Sequence, residues 1–139
     1  MRRAFTIVEL TLTLCILSIL SAIAIPRAGR LLDSIHVRGA ATEIESLFGV
    51  ARHLAIARGA LSTVELDAAD RVMYVSVGAD TLRRLELGVT HDVQLATTRT
   101  RMSYGPTGMG YGAANLSVVV RRNAAVDTVF VSRLGRVRH

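Results

Sequence analysis

The sequence predicts an α+β fold, in which one long N-terminal α-helix, part membrane-spanning and part amphipathic, packs on an antiparallel β-sheet domain. Three observations carry this reading. The run from Phe5 to Ile25 is apolar over 21 residues and holds a single charge, Glu9. From Val37 to Ala55 the apolar residues recur at steps of three or four, one stripe of an amphipathic helix. From Leu61 onward that period gives way to short β-rich runs bounded by turn residues.

Composition bounds the function. The chain has 139 residues, 50% of them hydrophobic, with 4% aromatics and no Trp. Without the first 25 residues, what remains suits one small domain. One Cys means no intramolecular disulfide, so an exported domain must be held by its core and its partners. All 17 basic residues are Arg, which excludes a Walker A lysine, a Schiff-base lysine and a Ser-Lys dyad. The net charge of +6 is uneven: residues 1–4 carry +2, residues 5–98 carry −2, and residues 99–139 carry seven Arg against Asp127 alone. A basic C-terminal third suggests an anionic partner such as nucleic acid or a lipid surface, or else a solvated arginine-rich face.

Taken in order, residues 1–4 form a short basic leader and residues 5–25 the apolar run. At about 1.5 Å rise per residue this run spans roughly 30 Å, the hydrocarbon thickness of a bilayer. A charge within such a segment costs about 2.5–3.5 kcal/mol on insertion scales, which makes Glu9 a functional candidate. A secretory signal would be cut after 21-SAIA-24, and a lipoprotein signal would use Cys15, but Leu12-Thr13-Leu14-Cys15 puts a bulky Leu where such signals have Gly, Ala or Ser. A plain anchor leaves Glu9 unexplained.

Residues 26–59 continue the helix as an amphipathic half. Its stripe is Val37, Ala40, Ile44, Leu47, Phe48, Ala51, Leu54 and Ala55, with Arg38, Glu45, Arg52 and His53 on the other side. Pro26 and Gly29 bend or loosen the join, and Gly59 after Arg58 reads as a C-cap. Residues 60–139 form the β-rich part, with strands expected at 61–67, 71–77, 81–87, 92–98, 100–104, 115–120 and 125–132. Asp70, Gly78-Ala79-Asp80 and Arg122-Asn123 supply turn chemistry at the breaks.

No catalytic constellation is visible, so an enzyme is not expected and no cofactor is implied. Gly105, Gly108, Gly110 and Gly112 do not make a phosphate loop, because no Lys follows and the next element is a strand. They read as a hairpin loop. His36, His53, His91 and His139 lack metal-ligand spacing, and Cys15 reads as a small buried hydrophobe. The stretch 133-RLGRVRH-139 gathers Arg133, Arg136 and Arg138 at the chain end, and an extended backbone would put Arg136 and Arg138 on the same side.

Arg2-Arg3-Ala4 followed by Phe5-Thr6-Ile7-Val8-Glu9-Leu10 resembles the processing signal of type IV prepilins and pseudopilins. Ala4 stands where that family usually has Gly. The resemblance implies cleavage between Ala4 and Phe5 by a prepilin peptidase and N-methylation of Phe5. It also implies a filament-assembly role for Glu9, which would neutralise the new α-amine, and a helix kink at Pro26. Helix followed by strands, with 102-MSYGPTGMGYGAANLSVVV-120 and 126-VDTVFVSRLGRVR-138, resembles the GspH/FimT branch of the pilin superfamily. That implies a minor pseudopilin of a type II secretion or type IV pilus-like filament. Its partners would be other pilins, and it would sit in the bacterial inner membrane by a single pass with its C-terminal domain outside the cytoplasm. The alternative is a DNA-binding minor pilin acting in DNA uptake. In FimT-like proteins a Gly-Arg-x-Arg tail is linked to DNA binding, and Gly135-Arg136-Val137-Arg138 fits it. Secretion pseudopilins also often end in Gly-Arg, for which a structural role is the other reading.

Overall fold

Helix α1 runs over Ile7–Arg58 and continues through Pro26, which lies inside it. A proline removes one backbone N–H from the helical ladder, yet here the helix does not end there. The computed structural model describes residues 6–112 and 115–139, so Ala4 and Phe5, the expected processing site, lie outside the described residues. The chain divides into two units, Met1–Leu32 and Asp33–His139.

In the first unit every described residue from Thr6 to Leu32 is exposed, and the helix is long and apolar enough to cross a membrane. Its few hydroxyls turn back onto the helix. Thr11 Oγ1 donates to the Val8 carbonyl at 2.9 Å, Thr13 Oγ1 to that of Leu10 at 2.8 Å, and Ser18 Oγ to that of Leu14 at 2.8 Å. Polar groups satisfied within the helix do not oppose insertion into hydrocarbon. Cys15, expected as a buried hydrophobe, is exposed.

In the second unit the stripe on α1 is core as expected. Val37, Ala40, Ile44, Leu47, Phe48, Ala51 and Ala55 are buried, Ala41 joins them, and Leu54 packs against them partly buried. The helix ends in a Schellman motif, with Gly59 at φ 58, its N–H on the Ile56 carbonyl at 3.3 Å and that of Ala60 on the Ala55 carbonyl at 3.2 Å.

The strands are β1 (Ser62–Asp67), β2 (Val72–Val77), β3 (Asp80–Glu86), β4 (Gln94–Thr97), β5 (Arg101–Tyr104), β6 (Gly110–Tyr111), β7 (Leu116–Arg122), β8 (Ala125–Val131) and β9 (Val137–Arg138). They build two antiparallel sheets where the sequence suggested one, in the orders β3-β2-β1-β5-β6 and β4-β7-β8-β9. The break falls after β3, where a short helix α2 (Leu87–Thr90) redirects the chain and β4 pairs with β7. Period-two alternation marks a strand but carries nothing about which neighbour it pairs with. On β2 the buried face is Met73, Val75 and Val77, and the alternating Tyr74 and Ser76 lie on the outer side. There the Arg84 guanidinium stands 5.7 Å from the Tyr74 ring centre.

The inner faces of both sheets and the α1 stripe share one hydrophobic core. The β7–β8 turn, with Asn123 at φ 51, is fastened to the helix by polar bonds. Arg122 Nε donates to Asp33 Oδ1 at 3.0 Å, Asn123 Nδ2 to Asp33 Oδ2 at 2.9 Å, and Arg122 Nη1 to the His91 carbonyl at 2.6 Å.

Candidate functional site

At the N-terminus Thr6 precedes α1 and its Oγ1 accepts the Glu9 N–H at 3.2 Å. Thr6 thus caps the helix, and Glu9 falls in its first turn, where a carboxylate complements the positive end of the helix dipole. This gives Glu9 a local stabilising role beside any role in assembly. It remains exposed, available to a cation outside the described residues.

At the other end of the chain the glycine-rich loop and the C-terminal turn are built into each other. The Gly110 N–H donates to the Arg133 carbonyl at 3.1 Å, joining the two sheets. The turn closes through Ser132 N–H to the Arg136 carbonyl at 2.8 Å and Gly135 N–H to the Ser132 carbonyl at 2.9 Å. Gly135 is buried at φ 75, and Tyr104 packs beside it. The loop of Gly105 to Gly112 is therefore the β5–β6 hairpin, as expected, and its backbone bonds to the C-terminal turn. Beneath it lies Tyr104, fully buried, with its hydroxyl unpartnered among the described residues. Burial pushes the Tyr104 phenol up to about 12, against the lowering pull of the Arg52 guanidinium. Arg52, placed on the solvent side of the stripe by its spacing, is half-buried along this loop.

The turn leaves its arginines outside. Arg136 lies in the turn and only Val137–Arg138 is extended, yet both side chains line one groove of about 800 Å³. Arg99, from the link between β4 and β5, lines it too. Arg133 does not; it is exposed, and its backbone N–H donates to Asn115 Oδ1 at 3.2 Å. No carboxylate lines the groove among the described residues. The guanidinium groups of Arg99, Arg136 and Arg138 have neither an ion pair nor a hydrogen bond there, whereas Arg101 pairs with Glu65 and Arg122 with Asp33. The floor is apolar: Phe130 is 58% and Leu134 59% exposed, and Phe130 stands opposite Arg138 in the β8–β9 register. Sequence reasoning missed Arg99 and Phe130. The only signal for Arg99 was the charge count, whose basic segment begins there.

Among the described residues no group of three or more His, Cys, Asp or Glu could hold a metal. His36 and His91 meet edge-on at 6.0 Å, and His91 Nε2 lies 3.3 Å from Glu43 Oε1. His139 Nδ1 lies 3.0 Å from Glu45 Oε2 and ties the chain end to α1.

Neither a family model nor a curated protein matches this chain. Two solved structures of the type IV minor pilin FimU from Pseudomonas aeruginosa are similar to it. One superposes with a TM-score of 0.65 at 13% identity, over 73% of this chain and 86% of FimU; the other gives 0.62 at 13%, over 73% and 90%. The minor pseudopilin EpsH of the Vibrio cholerae Type 2 Secretion System gives 0.60 at 12%, over 74% of this chain and 94% of EpsH. At these identities the likeness is one of fold. The chain has the pilin-like fold of these minor subunits, a long N-terminal helix packed on antiparallel sheet.

Proposed function

We propose that this chain is a minor subunit of a type IV pilus or type II secretion filament. It would be cleaved between Ala4 and Phe5 by a prepilin peptidase and methylated at Phe5. Held in the inner membrane by residues 5–25, it would enter the filament through α1, and its work is to join other pilins rather than to catalyse. The observation that carries this reading is the division of α1. One half is exposed, apolar and nearly uncharged, and the other buries its stripe in a domain of the fold that FimU and EpsH share. Glu9 supplies the charge that would neutralise the new α-amine, since a pair in hydrocarbon offsets much of the cost of either charge alone. Glu9→Ala should leave cleavage and membrane retention intact while reducing incorporation into filaments. Normal incorporation of the variant removes that role.

A second reading, DNA binding through the C-terminal arginines, is favoured by one specific observation. Three unpaired guanidinium groups line a groove with no carboxylate among its described lining. Free arginines that meet no carboxylate are suited to phosphates.

A further inference from the structure

We propose that the groove between the β4–β5 link and the β8–β9 turn takes single-stranded DNA in preference to duplex, with a base stacked on Phe130. The inference rests on the DNA-binding reading and narrows it to one form of the ligand.

Charge alone would suit any polyanion. The arrangement of charge around apolar surface is more selective. Arg99 reaches the groove from the β4–β5 link and Arg136 and Arg138 from the β8–β9 segment, with Phe130 and Leu134 exposed among the lining residues. Phe130 and Arg138 are cross-strand partners, so ring and guanidinium stand on one face of the sheet. A phosphate on Arg138 therefore brings its own base within reach of the ring. Thr98, Asn115 and Ser117 also line the groove, with Thr98 Oγ1 accepting the Ser117 N–H and Asn115 Oδ1 the Arg133 N–H. An exposed aromatic within a basic groove is the combination that binds single strands, because every base has a face to stack and stacking is indifferent to sequence. A duplex keeps those faces inside its own stack. Against a duplex, Phe130 and Leu134 would meet sugar and phosphate and gain little. An acidic protein segment could meet the same charges, but it offers no flat π-face to the ring.

The test uses the full chain in neutral detergent micelles and four labelled probes: an oligothymidylate, a duplex of equal length, an abasic sugar-phosphate strand of equal length, and polyglutamate. The oligothymidylate should bind tightest. Phe130→Ala should weaken it by about tenfold and leave the abasic strand and duplex unchanged. Phe130→Tyr, which keeps the ring, should bind as the wild type does. Because Phe130 is largely exposed, the alanine variant should keep the wild-type circular dichroism. Replacing Arg99, Arg136 and Arg138 by Ala should weaken all nucleic-acid probes and make the slope of log affinity against log salt shallower by roughly 2. Equal binding of oligothymidylate and abasic strand, or an unaffected Phe130→Ala, overturns the stacking inference while DNA binding stands. Polyglutamate binding as tightly as oligothymidylate overturns it in favour of an acidic protein partner. Failure of every nucleic-acid probe at low salt removes the DNA reading itself.

Discussion

Gly135 and Gly108 approach so closely that a Cβ on Gly135 would stand 2.9 Å from the Gly108 carbonyl oxygen. It would also stand 3.1 Å from Tyr104 Cε1. This contact separates two roles that the tail sequence Gly-Arg-x-Arg leaves merged. The glycine is structural, because only a residue without a side chain fits against a backbone that is itself held by hydrogen bonds. The arginines after it are exposed and bear no comparable load.

Gly135→Ala combines the left-handed backbone penalty of about 1–2 kcal/mol with a clash that no side-chain rotation relieves. A loss of about 2–4 kcal/mol is expected in urea unfolding of the detergent-solubilised chain. Arg136→Ala and Arg138→Ala should each stay within about 0.5 kcal/mol of wild type, as exposed substitutions do. Equal losses for glycine and arginine variants would mean that the whole tail is structural.

Asp33 accepts from both Arg122 and Asn123 and so anchors the β7–β8 turn to α1. The Arg122 and Asp33 side chains are 25% and 17% exposed, so solvent screens the pair only in part. Asp33→Ala should cost about 1–3 kcal/mol and speed amide exchange at Asn123 and Ala124. Unchanged exchange at that turn would show that the hydrophobic core alone holds it.

Tyr104 gives the fold a pH limit. Its folded-state value is raised from 10.0 to about 12, chiefly by burial and with Arg52 opposing, so the native state favours the neutral phenol. The stability tied to this group is therefore complete below pH 10 and lost as the pH rises from 10 through 12. The greatest slope is about 1.4 kcal/mol per pH unit. Tyr104→Phe removes the titration together with a buried hydroxyl that has no partner among the described residues, so its stability at neutral pH should equal or exceed wild type. Unfolding free energies of the two proteins should diverge above pH 10, with wild type falling faster. Parallel curves would place the Tyr104 hydroxyl in contact with water.

Much of this was legible in the sequence, and the parts that were not share a cause. The α1 stripe could be read because a 3.6-residue period over five turns has no competing explanation, and Phe48 and Ile44 are fully buried as it requires. The long strands showed through β-branched runs between turn residues. What escaped were elements too short to have a pattern, namely the four residues of α2 and the two-residue strands β6 and β9. Pairing partners also escaped, and with them the second sheet. The candidate groove was half visible for the same reason. Arg136 and Arg138 are neighbours in sequence, whereas Phe130 meets them through the β8–β9 pairing and Arg99 only because β4 and β8 flank β7. Nothing local to Arg99 distinguishes it from Arg101, which pairs with Glu65 across β5 and β1.

The proposal that α1 is the shared helix of a filament subunit is tested most directly by the state of its N-terminus. Intact-mass measurement of the protein extracted from the membranes of cells that make it should show a chain that begins at Phe5, lacks residues 1–4 and carries one added methyl group. A mature N-terminus at Cys15 or after Ala24 would contradict the account.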